Sequence, residues 1–237
     1  MDKKLGIVGG LGSETSCSFC LNVNQAIKRS QGKQPQIILE NVPISDQATE
    51  SIANGEFSAE ALGLLVDSVK RLNACKVNFI VIPCNTVHIF INDLRKISDV
   101  PILSIIEETA KECKNKSFTK VGVLGSIITI KERLYATELQ KNGISAIIPS
   151  KEDQTFVSAC IIKILNQNTT IEDKQKMIFI IQEMQSKGAE AIILGCTDLF
   201  LLVSPPDVPL PLINSTQILE NTVIEILTSN TEALEHV

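Results

Sequence analysis

Two stretches of this chain, NFIVIPCNT at 78–86 and EAIILGCTD at 190–198, each run through apolar residues to a cysteine beside small polar side chains. The cysteines, Cys84 and Cys196, lie 112 residues apart. Two further pairs keep nearly the same offset: LGIVGG (5–10) with VGVLGS (121–126), and VPILS (100–104) with VPLPLINS (208–215). A chain that repeats itself once at this period must fold as two similar units, each closing its own core.

Within each half, short apolar runs alternate with segments of helical periodicity. Strands are expected at 5–9, 36–39, 79–83 and 101–104, and again at 121–124, 144–148, 191–194 and 210–213. Helices are expected at 13–30, 58–72, 87–96, 107–114, 130–142, 155–165, 171–187 and 215–228. Apolar strands without polar alternation need cover on both faces, so the fold class is α/β with two doubly wound parallel-sheet domains. The expected boundaries are 1–103 plus 212–237 for the first domain and 104–211 for the second. Pseudo-twofold symmetry would set the strands' carboxyl ends, where ligands bind in open α/β sheets, about one cleft.

Composition narrows the function. Hydrophobic residues make up 44% of 237, enough for filled cores, and the net charge of −5 argues against a nucleic-acid or anionic-membrane partner. No apolar run reaches the ~18 residues that span a bilayer. The start, MDKKLGIVGG, lacks a signal-peptide pattern, which points to the cytoplasm, where the seven cysteines would be thiols. Cys17 and Cys20 form a lone Cys-x-x-Cys, short of the four ligands of a structural zinc site, so no metal is expected.

Either Cys84 or Cys196 alone reads as a small buried residue. As a pair at equivalent strand ends they suit one chemistry. A thiolate removes a proton from one face of a carbon acid and a second thiol protonates the other, inverting the centre. A reference thiol pKa of ~8.5 lets either group serve as acid or base near neutrality. Donors to steady the carbanion's carboxylate are at hand in Asn85, Thr86 and Thr197.

At these residues the chain resembles the aspartate/glutamate racemase superfamily, most closely its aspartate racemase branch. The resemblance rests on GIVGGLGSETS (6–16), PCNTVH (83–88), PILSIIEETAKE (101–112) and GCTD (195–198), in family order and spacing. It implies Cys84 and Cys196 as catalytic residues, with neither pyridoxal phosphate nor a metal, and a homodimer. It also implies an amino-acid substrate bound by Gly10, Leu11, Gln47, Asn85, Thr86, Ser126, Asn166 and Thr197, with Thr129 retained beside Ser126. Two departures bear on the substrate. Gln47 stands where relatives carry an arginine, and Asn166 where they carry a lysine, although a one-turn shift would offer Lys163. Two neutral amides for two cations point to a substrate broader than, or different from, aspartate.

Other readings are a hydantoin racemase or maleate isomerase-like enzyme of the same superfamily, and a non-catalytic small-molecule-binding homologue. His88 is either an acid–base helper of Cys84 or a helix-start residue bonded to a neighbour. Asp46 is a candidate supporting carboxylate, and His236, near the end of the chain, is assigned no role. Gly9-Gly10-Leu11-Gly12 lacks the spacing of a dinucleotide fingerprint.

Overall fold

The computed structural model describes residues 3–53, 55–56 and 59–229, without the side chains of 46, 49, 50 and 53, so the side chain of Asp46 and all of His236 lie outside the described residues. The chain divides into two compact units, Met1–Thr49 with Phe57–Glu108 and Thr216–Val237, and Glu50–Glu56 with Thr109–Ser215.

The first unit carries four parallel strands, β1 (Lys4–Gly9), β2 (Gln36–Asn41), β3 (Phe79–Val81) and β4 (Ile102–Leu103), in the order β2-β1-β3-β4. Leu5, Ile7 and Val8 of β1 and all three residues of β3 are buried. Each such aliphatic side chain contributes roughly 1.5–3 kcal/mol on burial. α1 (Ser13–Gln31) places Ser16, Phe19, Val23 and Ile27 inward at helical spacing, and α3 (Ala59–Ala74) does the same with Ala61, Leu65, Val69 and Leu72. Between them α2 (Asp46–Ala53) starts where Ser45 Oγ accepts the Ala48 N–H at 3.1 Å. This helix is not among those expected from periodicity, because its apolar row is short, Ala48 and Ile52 with Ile44 one turn before. α4 (Ile91–Ile97) and α5 (Ile105–Asn115) follow β3 and β4. The last described helix joins this unit, where Asn22 donates to its Glu220 at 3.0 Å and Lys3 donates to its Ile226 carbonyl at 3.0 Å.

The second unit repeats the plan. β5 (Lys120–Gly125), β6 (Ser145–Ile147), β7 (Ala191–Gly195) and β8 (Leu212–Asn214) are all parallel, in the order β6-β5-β7-β8. The single helix expected at 130–142 is two. α6 (Ile127–Lys131) begins early because Ser126 Oγ accepts the Thr129 N–H at 3.2 Å. α7 (Leu134–Lys141) starts anew after Arg133, whose φ of 55° breaks the helix and lets Tyr135 enter the core. α8 (Lys151–Leu165) and α9 (Ile171–Ser186) cover one face, and α10 (Ser215–Thr228) leaves β8 for the first unit. No described helix is long and apolar enough to cross a membrane.

Three carboxylates tie the helical layer of the second unit. Asp153 meets Lys176 at 3.0 Å, Asp173 meets Lys163 at 2.6 Å, and Asp207 meets Lys174 at 2.7 Å. Hydrogen bonds hold all three below the usual carboxyl range, from Ser150 first on Asp153, from Lys163 first on Asp173, and from Lys174 first on Asp207, which falls to about 2. A depressed folded-state pKa stabilises above the unfolded value of ~3.9, and that contribution disappears as pH falls through the folded value. Thermal melts followed by circular dichroism should therefore show a Tm that drops steeply between about pH 4 and 2. In Asp207→Asn the drop should be shallower and the Tm at neutral pH lower.

Candidate active site

The carboxyl ends of parallel strands emerge on one edge of a sheet, and in the first unit that edge collects Gly10, Leu11, Cys84, Asn85 and Thr86. After β1, Gly10 has φ +88°, and a Cβ there would press on the Val42 backbone, 2.6 Å from its nitrogen. Val42 donates its own N–H to the Gly9 carbonyl at 3.1 Å, so glycine at position 10 is what lets the two strand exits approach. Leu11 is partly buried and packs on the unit's core.

Hydrogen bonding of β3 stops at Val81, two residues before the end of the expected strand. Pro83 has no N–H to offer. The Cys84 N–H instead turns back to the Ile82 carbonyl at 2.8 Å, a tight three-residue turn. Cys84 thus leaves the sheet half-buried and packed on the core, with Asn85 buried and Thr86 partly exposed behind it. Thr86–Phe90 form a short 3-10 turn.

His88 belongs to that turn and is fully buried. Its Nδ1 lies 2.8 Å from the Cys84 carbonyl, and its Nε2 accepts the Ile105 N–H at 3.2 Å. A carbonyl on one nitrogen and an N–H on the other allow only the neutral Nδ1–H tautomer. Burial pushes the imidazole down to about 4, against the opposing pull of the Cys84 carbonyl and of Glu107. His88 is therefore a neutral strut, and of its two readings the bonded neighbour holds.

In the second unit Gly125 and Gly195 sit side by side at the ends of β5 and β7. From them Ser126 and Cys196 depart in adjacent rows. Ser126 Oγ and Thr129 Oγ1 are 3.0 Å apart, and the Ser126 hydroxyl caps α6. Cys196 is partly buried on the core with Thr197 beside it, and its Sγ lies 3.9 Å from Asp198 Oδ2. Beneath the turn, the buried Tyr135 is hydrogen-bonded to Thr109 and Ser215, and burial raises its phenol. Ser215 also donates to the Leu194 carbonyl at 3.0 Å.

The two departures lie on helices. Gln47 is exposed on α2. Asn166 is exposed at the carboxyl end of α8. α9 ends near the amino end of β5, where Glu190 accepts the Thr119 and Lys120 N–H groups, and the Lys163–Asp173 pair ties the end of α8 to the start of α9. Lys163 is committed to the nearly buried Asp173, so the one-turn shift would offer a cation that already has a structural partner.

His88 and Asp198 stand in the motifs read from the sequence, and the structure adds their contacts. One supporting residue escapes a reading of motifs alone: Tyr135 under Gly195, which has no spacing signal.

Two α/β units, each with a cysteine where the third strand of its sheet ends, define a racemase-type scaffold. The chain belongs to the Asp/Glu/Hydantoin racemase family, whose sequence profile matches residues 8–222. It is similar to the broad specificity amino-acid racemase RacX of Bacillus subtilis (strain 168), with 27% identity over 225 residues, 93% of this chain and 96% of the relative. It is also similar to the glutamate racemase of Aquifex pyrophilus, with 29% identity over 187 residues, 77% of this chain and 68% of that one. A Yersinia pestis structure solved as an Asp/Glu racemase candidate superposes with a TM-score of 0.86 at 26% identity, covering 96% of this chain and 100% of that one. Picrophilus torridus aspartate racemase shares the fold, with a TM-score of 0.77 at 22% identity over 95% and 94% of the two chains.

A Cβ on Gly195 would lie 2.9 Å from the Tyr135 ring and 3.0 Å from the Leu124 carbonyl. Overpacking of this kind costs about 1–3 kcal/mol. Gly195→Ala should lower the Tm, measured by differential scanning fluorimetry, and should lower racemase activity further than a Gly63→Ala control, which meets nothing within 4 Å.

Proposed function

We propose that this protein is a cofactor-independent amino-acid racemase in which Cys84 and Cys196 act as opposed base and acid. One observation carries the reading. In both sheets the strand in the third place of the order, β3 or β7, is followed within three residues by a cysteine and then small polar residues. The reaction requires the two thiols to address opposite faces of one α-carbon. In one direction the first sulfur takes the α-proton, breaking C–H and forming S–H. The second thiol then breaks its S–H and protonates the carbanion from behind. The reverse reaction exchanges the roles, so a repeated scaffold suits a symmetric reaction. Asn85, Thr86, Ser126 and Thr197 are the proposed donors to the substrate, with the backbone at Gly10 and Leu11 lining it.

In deuterium oxide the protein should place one solvent deuterium at Cα with each inversion, read by proton NMR and chiral chromatography. Cys84→Ala and Cys196→Ala should each abolish inversion. Full racemisation by either variant would refute the mechanism, and absence of any exchange by the unmodified protein would favour a binding homologue.

The substrate is proposed to be broader than aspartate. Charge-assisted hydrogen bonds are worth roughly 1.5–3 kcal/mol each, so Gln47 and Asn166 forgo much of an acidic side chain's grip. RacX, described as a broad specificity enzyme, supports this direction. kcat/KM across L- and D-amino acids should be comparable for neutral and acidic substrates. Gln47→Arg with Asn166→Lys should raise it for aspartate by roughly tenfold or more. Strong selectivity for aspartate by the unmodified protein would overturn this part.

A homodimer is also proposed. The second unit exposes Ile162, Leu165, Ile171, Phe179 and Leu201, the last at 74%. Sedimentation should give twice the 25.9 kDa chain mass, and Leu165→Asp with Phe179→Asp should move it toward the monomer.

A further inference from the structure

The sequence PCNTVH places His88 one helical turn past Cys84, and both nitrogens of this buried side chain are used on backbone groups. The bonds differ in what they hold. One fixes the carbonyl of Cys84. The other fixes the N–H of Ile105, at the start of α5, where β4 ends. The Cys84 N–H is already fixed by the Ile82 carbonyl at 2.8 Å. Holding both peptide groups that flank a Cα fixes the direction of its Cα–Cβ bond, and leaves the sulfur one torsion, χ1.

Around His88 the charged groups are Arg95 of α4 and Glu107 of α5. They face each other in a two-pronged pair at 2.8 Å, and Arg95 also donates to the Ile102 carbonyl at 2.9 Å. They cancel beside the ring and brace the same β4–α5 corner that His88 grips. The imidazole therefore meets a neutral, preorganised setting.

We infer that His88 is a positioning residue that aims the Cys84 thiol by anchoring its carbonyl to the β4–α5 corner, and takes no part in proton transfer itself. The inference rests on the racemase reading for its catalytic meaning. Misplacing a reacting group by about 1 Å can lower a rate on the order of 100-fold. The loss should fall on one thiol. The enantiomer whose Cα–H faces Cys196 can still exchange. Its C–H breaks to form S–H, the thiol proton is replaced by deuterium from solvent, and S–D breaks as C–D forms without inversion.

Two amide substitutions separate the two bonds of the ring. His88→Asn can keep a donor at the δ position for the Cys84 carbonyl and loses the acceptor for Ile105. His88→Gln can keep the acceptor at the ε position and loses the donor to Cys84. In deuterium oxide, His88→Gln should slow α-proton exchange of one enantiomer by roughly 10–100-fold and leave the other near the unmodified rate. His88→Asn should restore most of that balance. Iodoacetamide labelling followed by peptide mass spectrometry gives a second readout that needs no turnover. The Cys84 labelling rate should change several-fold in His88→Gln, remain close to normal in His88→Asn, and the Cys196 rate should be unchanged in both. Equal loss for both enantiomers, equal behaviour of Asn and Gln, or an unaltered Cys84 labelling rate in His88→Gln would overturn the role of His88. Failure of the racemase reading appears separately, as no exchange of either enantiomer by the unmodified protein, and the labelling comparison still decides the role of His88.

Discussion

A parallel strand cannot turn back into its neighbour. Each crossover must carry the chain to the opposite edge, and a helix laid on the sheet does this while covering the strand's apolar face. In this protein that requirement holds for all eight strands of the described residues, since every pairing among them is parallel. One consequence organises everything else. All carboxyl ends in a sheet open on the same edge, so segments far apart in sequence reach one neighbourhood. Gly10, Cys84 and Ser104 share such an edge in the first unit, and Ser126, Cys196 and Ser215 share one in the second.

Strands deliver residues to an edge but do not aim them. Aiming falls to a few buried polar links: His88 between Cys84 and Ile105, Ser126 on α6, and Ser215 on Leu194. Each such hydrogen bond adds only about 1 kcal/mol net, whereas leaving its buried partner unsatisfied costs about 1–3 kcal/mol. The links are therefore modest as sources of stability and strong as selectors of geometry. Glycine enters the same logic by absence. Gly10 lets Val42 approach, and Gly195 leaves room for Tyr135.

The places where periodicity misled are instructive. α2 has only a short apolar row, Ala48 and Ile52 with Ile44 one turn before, yet Ser45 at its start carried a capping signal that could have revealed it. The helix expected at 130–142 spans a break at Arg133, a residue with no intrinsic preference for φ of 55°, and Tyr135 two residues on is buried in the core. Lys163 illustrates a different limit. Its charge is visible in the sequence, but its commitment to Asp173 is not, because the two lie on separate helices.

By itself the sequence determined the repeated α/β architecture, the parallel sheets, and the singling out of Cys84 and Cys196 from seven cysteines. Those follow from hydrophobic pattern and self-similarity, which are local properties of the chain. Tertiary structure decided how each cysteine is held: the short turn that ends β3 at Val81, the neutral tautomer of His88, and Asp198 within 3.9 Å of the second sulfur. Those are directional contacts. Hydrogen bonds and side-chain collisions depend on distances and angles that exist only once strands and helices have packed, so no pattern along the chain encodes them.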